Sequence, residues 1–164
     1  VALPVTGARV IGYDFTPWRK CALLDKGSKE GLQRGFGIIN AEGVVGRLVE
    51  CYPNYAKVLL LLDRSSAVDA LLHRTRGRGI LAGTGGKNCH LKYIPKDQEV
   101  QVGDLVLTSG VGGIFPAGLP LGRVTAVDKK APGIFQEVEV TPAVDFLRLE
   151  EVLVIKSAQM LLTP

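Results

Sequence analysis

With 46% hydrophobic and 22% charged side chains over 164 residues, the chain can bury one ordinary core or two small ones and falls outside the disordered class. The net charge of +4 permits an anionic partner without requiring one. The longest apolar run, Val58 to Leu62, is far shorter than the roughly 20 residues of a membrane-crossing helix.

Along the chain the dominant hydrophobic period is two, the period of half-buried strands. The opening VALPVTGARV shows no charged-then-apolar leader and starts as an excised domain would. Strands are predicted near Arg9–Tyr13, Cys21–Leu24, Phe36–Asn40, Val44–Cys51 and Ala56–Leu62. A second series is predicted near Val68–His73, Gly79–Ala82, His90–Tyr93, Leu105–Thr108, Leu121–Asp128, Phe135–Thr141 and Val152–Ile155. Turns fall at Lys26-Gly27-Ser28, Asn40 to Gly43, Pro53-Asn54 and Ala131-Pro132-Gly133. Single helical turns are predicted at Lys29–Arg34 and Ser65–Asp69. The 20 glycines, above the usual share of about 7%, suit tight turns better than long helices.

A weak internal repeat aligns Leu32 to Ile39 with Val100 to Leu107, followed by Gly46-Arg47-Leu48 in one copy and Gly122-Arg123-Val124 in the other. The fold expected is all-β: two small barrels of about six strands each, resembling the chymotrypsin-like pair. The divisions are 1–64 and 65–157, with a tail at 158–164. A strand over Glu150–Ile155 that crosses back to the first barrel is left open, and would make the second barrel an insertion.

The stretch TSGVGGIFPAGLPLGRV, Thr108 to Val124, raises the one catalytic question. In a two-barrel serine hydrolase Ser109 needs a histidine base and an orienting carboxylate, the histidine coming from the first barrel. Residues 1–62 contain no histidine, and the two present are His73 and His90. Ser109 is therefore read as bonding within its own turn, with a divergent hydrolase as the alternative. No C-x-x-C or H-E-x-x-H set offers a metal site, and neither glycine-rich stretch, 77–82 or 83–88, completes a phosphate loop. No cofactor is expected.

Arg74, Arg76 and Arg78 alternate, so an extended backbone would present all three to a phosphate or carboxylate; a charged edge strand that blocks self-pairing explains them equally simply. Without interleaved aromatics, a basic nucleic-acid-binding module is only an alternative, and no nucleic-acid partner is expected. Three scattered cysteines, Cys21, Cys51 and Cys89, make no disulfide scaffold. Buried thiols are expected, a Cys21–Cys51 bridge being the other possibility.

Gly103 to Gly110, running into Gly113-Ile114-Phe115-Pro116-Ala117-Gly118 and Gly122-Arg123-Val124, resembles the MreC family of bacterial rod shape-determining proteins. Leu24 to Ser28 with Gly31-Leu32, Gly43 to Arg47, Leu61-Leu62-Asp63, and Arg74-Thr75 with Gly79-Ile80-Leu81 continue the likeness, from about Ala8 to Ile155. The resemblance implies the extracytoplasmic (periplasmic) double barrel of a single-pass inner-membrane protein, with its anchor and coiled coil expected upstream. It implies a non-enzymatic scaffold of cell-wall elongation that links MreB and MreD to a class-B penicillin-binding protein and can self-associate. Expected contacts are an uncovered strand edge open to β-augmentation, the three arginines, and Ile114, Phe115 and Pro116. Phe115 has a competing role as barrel plug, and Trp18 and Tyr52 are expected to pack in the core or at a barrel mouth, with a role as interface anchors the alternative.

Overall fold

A computed structural model describes residues 4–156. In chain order the strands are β1 (Val5–Phe15), β2 (Lys20–Leu24), β3 (Gly37–Asn40), β4 (Gly43–Cys51), β5 (Ala56–Leu60), β6 (Ala67–Leu72), β7 (Arg78–Gly83), β8 (Cys89–Pro95), β9 (Leu105–Thr108), β10 (Pro120–Asp128), β11 (Phe135–Pro142) and β12 (Glu151–Ile155). Each predicted strand is present, β1 extending furthest beyond its predicted bounds. A short 3-10 turn, Ser28–Glu30, occupies the first predicted helical turn. The second is absent: Ala67, Val68 and Asp69 already belong to β6, drawn into pairing with β7. The predicted tail at 158–164 lies outside the described residues.

Strands β1-β12-β3-β4-β5-β2 close into one antiparallel barrel and β10-β11-β8-β7-β6-β9 into another. The chain thus leaves the first barrel after β5, builds the second from β6 to β11, and returns to place β12 between β1 and β3. Closure leaves no uncovered sheet edge among the described residues, so the expected edge for β-augmentation is not there.

The internal repeat holds residue pair by residue pair. Ile38 faces Gly46 and Gly37 faces Arg47 in the first barrel; Val106 faces Gly122 and Leu105 faces Arg123 in the second. The Gly35 N–H donates to the Leu48 carbonyl and the Gly103 N–H to that of Val124, each at 2.8 Å and each glycine at positive φ. A Cβ on Gly46 would overlap the Leu59 carbonyl, and one on Gly122 the Thr141 carbonyl, so both positions tolerate only glycine. The copies differ in the hairpin that follows: 38 to 46 spans 8 positions, 106 to 122 spans 16.

That longer hairpin joins the barrels. Phe115, 7% exposed, lies against Gly37 of β3, where a Cβ would sit 2.5 Å from the ring. Gly37 is the repeat equivalent of Leu105, so the missing side chain of one copy is replaced by a wedge from the other. Gly43 packs equally closely on the Pro120 carbonyl. At the crossover, buried Asp63 accepts the Lys20 N–H at 2.6 Å and the Ser65 N–H at 2.7 Å, while Gly83 packs against its backbone. One hydrophobic cluster runs through both barrels. The 109–119 hairpin is therefore a strut between barrels, a role different from the plug of a single barrel.

Candidate interaction surface

The stretch that suggested a nucleophile is held as a turn. Thr108 Oγ1 donates to the Pro116 carbonyl at 2.7 Å and accepts the Leu119 N–H at 2.9 Å, and Ser109 Oγ accepts the Val111 N–H at 3.2 Å. Ser109 N–H donates to Asp69 and His73 N–H to Leu105, so the ladder separates Ser109 from His73 by four steps. That is roughly 13 Å at the strand rise. His90 lies on β8, three strands around the barrel from β9. Neither imidazole is placed to activate the hydroxyl. Among the described residues no cluster of three His, Cys, Asp or Glu side chains could hold a metal.

The three arginines do not share an extended face. Arg74 and Arg76 occupy the β6–β7 turn and Arg78 starts β7; Leu72 N–H to Gly77 carbonyl (2.8 Å) and Arg76 N–H to Leu72 carbonyl (2.9 Å) close the turn. Arg74 turns onto Asp104, with Nε at 2.8 Å and Nη2 at 3.0 Å from the carboxylate, and onto Glu99 at 3.1 Å. The Arg74 hydrogen bond holds the Asp104 carboxyl below the usual carboxylate range against the opposing effect of burial, helped by the Gln101 N–H. Since the folded carboxyl titrates below its unfolded value of about 4, the contribution is complete above that pH and is lost as pH falls towards the folded value. Urea unfolding monitored below about pH 4 should therefore show an acid-induced loss of stability that Asp104→Asn makes shallower.

All three cysteines are free thiols, so the Cys21–Cys51 bridge is not formed. Cys21 packs with Val49 and Leu59 apart from the main core, whereas Cys51 packs against that core. Burial raises the pKa of each thiol, that of Cys89 to about 12, which lowers the thiolate population of each.

The contact candidates 114–116 divide: Phe115 is buried, Ile114 half-buried, and Pro116 exposed. The apolar surface lies elsewhere. On the first barrel Ile11, Tyr13 and Phe15 stand outward at period two along β1, and Trp18, expected to pack inward, is 80% exposed at the β1–β2 tip. Tyr52 stacks on Tyr55 at 4.6 Å, both partly exposed at the β4–β5 tip.

On the second barrel a bulge opposite Gln136–Val138 turns both Lys92 and Tyr93 outward. Tyr93 adopts φ +69°, a left-handed conformation that costs a non-glycine residue about 1 kcal/mol. Its ring meets Phe135 edge-on at 5.6 Å, beside Ile134, which is 73% exposed. Bulges of this kind re-aim side chains, and strain is tolerated where it serves a site. Sequence reasoning placed Tyr93 at a strand end and missed this face. The one legible signal was an apolar Ile134-Phe135 pair immediately after a Pro-Gly turn.

Two closed six-stranded antiparallel barrels sharing one hydrophobic cluster, with aromatic side chains outward, define a double β-barrel protein. The family model described as "Rod shape-determining protein MreC, barrel core" matches residues 10–156, and the chain belongs to that family. It is similar to the cell shape-determining protein MreC of Caulobacter vibrioides, 40% identical over 120 residues, which cover 73% of this chain and 35% of that protein. The chain thus spans about a third of that relative's length. The crystal structure of MreC from Pseudomonas aeruginosa matches with a TM-score of 0.89 at 32% identity, over 93% of this chain and 99% of that one. A complex between the penicillin-binding protein PBP2 and MreC from Helicobacter pylori shares the fold, with a TM-score of 0.74 at 19% identity over 95% of this chain and 100% of that one. Among the described residues no helix is long and apolar enough to cross a membrane.

Proposed function

We propose that the chain is the periplasmic double barrel of a non-catalytic scaffold in cell-wall elongation, and that it maintains rod shape by binding a class-B penicillin-binding protein. The match to the MreC barrel core over residues 10–156 carries this reading. A shared fold with the Helicobacter pylori MreC found in complex with PBP2 supports the partner. In this reading MreB and MreD are reached through parts of the protein outside these residues.

The contact face proposed is Tyr93, Ile134 and Phe135. Buried aromatic anchors dominate interface energies, and a rigid barrel holds these two rings at little entropic cost. Titration calorimetry of the barrels against the extracytoplasmic domain of the class-B penicillin-binding protein tests this directly. Tyr93→Gly, which relieves the positive φ, should leave the melting temperature within a few degrees yet weaken binding about 30-fold or more. Trp18→Ala should change affinity less than about threefold. Wild-type barrels that fail to bind would remove the functional reading; binding that survives Tyr93→Gly would remove only the face.

A further inference from the structure

Arg76, Arg78 and Ser109, with Leu71 as floor, line a recess of about 310 Å³ on the outside of the second barrel. Leu71 on β6 faces Arg78 on β7 to one side and Leu107 on β9 to the other. Both leucines point away from the barrel core and yet are only 7% and 9% exposed, so the floor is apolar and largely dry. Ser109 closes one end; its Oγ already accepts the Val111 N–H, which leaves the hydroxyl hydrogen free to donate into the recess.

The charges here are unbalanced. Of the three arginines, Arg74 is neutralised by Asp104 and Glu99. The guanidinium groups of Arg76 and Arg78 have no hydrogen-bond or ion-pair partner among the described residues. Asp69, two positions before Leu71 on the same strand, is the nearest acid along that face, and its carboxylate pairs with neither. His73 is exposed on the other side of Leu71 and adds no acid. Arg76 is held at φ +64° although glycine is its neighbour in the chain, so a costly conformation is kept at the residue that brings a guanidinium to the rim.

We propose that Arg76, Arg78 and Ser109 form a binding site for an oxyanion, a carboxylate or a phosphate group carried by a small ligand. Two guanidinium forks and a hydroxyl supply directional donors for two or three oxygens, and the apolar floor strengthens each contact by excluding water. The volume accommodates a phosphate, or a terminal carboxylate with the residue that bears it. This site is separate from the Tyr93 face, and its test does not depend on the penicillin-binding protein.

The protein is titrated with inorganic phosphate, with acetyl-Ala-Ala, and with acetyl-Ala-Ala amide, while the amide and Arg Nε–H resonances are followed by NMR. Saturable shifts at Arg76, Arg78 and Ser109 are expected at an anion concentration on the order of 1 mM, with none from the amide. Phosphate binding alone identifies a phosphoryl ligand, and peptide-acid binding alone a terminal carboxylate. Arg76→Gly, which removes the charge and relaxes the backbone, and Arg78→Gln should each weaken binding about tenfold. Lys87→Gln removes a distant exposed charge and should change it less than about twofold. The proposal is overturned if neither anion shifts these resonances, or if Lys87→Gln weakens binding as much as the arginine variants.

Discussion

Gly83→Ala should cost the protein about 3 kcal/mol or more of stability in urea unfolding, an unusually large effect for one methyl group. Gly83 ends β7 where the chain between the barrels passes beneath it. A Cβ there would overlap the Asp63 carbonyl oxygen and approach the Leu62 carbonyl carbon to 2.6 Å. Those atoms cannot yield, because the Asp63 carboxylate is bonded to the backbone of Lys20 and Ser65, and the Leu62 carbonyl accepts the Gly85 N–H at 2.7 Å. Gly7→Ala provides the contrast. It also sits in a strand, but its Cβ would meet nothing within 4 Å, so the substitution should be neutral or stabilise by a few tenths of a kcal/mol.

The second large effect is expected at Phe115. Phe115→Ala removes the ring that fills the space over Gly37 and should cost about 3–5 kcal/mol, with the single unfolding transition separating into two as the barrels uncouple. Gly37→Leu alone should also destabilise, since its Cβ would press on the same ring. Combined, the two changes should be less harmful than the sum of their separate costs. The new leucine then occupies the vacated space, as Leu105 does at the equivalent position of the second barrel. Calorimetric melting of all four proteins measures that coupling.

Strands such as β1 and β11 were legible because they alternate over a length that a two-residue period can report, others such as β4 and β5 were legible as short apolar runs, and glycine and proline mark the turns between them. The Gly-Arg repeat was legible for a further reason: at Gly46 and Gly122 a neighbouring carbonyl leaves no room for any side chain, so the sequence carries a steric requirement. Contacts between elements were not legible. Phe115 is apolar in the sequence whether it plugs its own barrel, anchors a partner or wedges two barrels apart, and only the position of Gly37 decides. A helical turn is expected at Ser65–Asp69, but long-range pairing of β6 with β7 prevails over local preference. The arginines were misplaced for the opposite reason: alternation implies one face only while the backbone stays extended, and here it turns. Tyr93 was hidden because a bulge shifts the period by one residue. Trp18 is exposed by its place at a hairpin tip, which favours the interface-anchor alternative over packing in the core.

If the chain is the scaffold proposed above and acts by shape, it must hold its two barrels in one arrangement, free and bound. Double electron–electron resonance between spin labels at Lys29→Cys in the first barrel and Lys130→Cys in the second, in a Cys51→Ser background, measures the separation which that arrangement fixes. A single narrow distance is expected, changing by less than about 2 Å when the penicillin-binding protein domain is added. A broad or two-peaked distribution in the free protein, or a larger shift on binding, would contradict it.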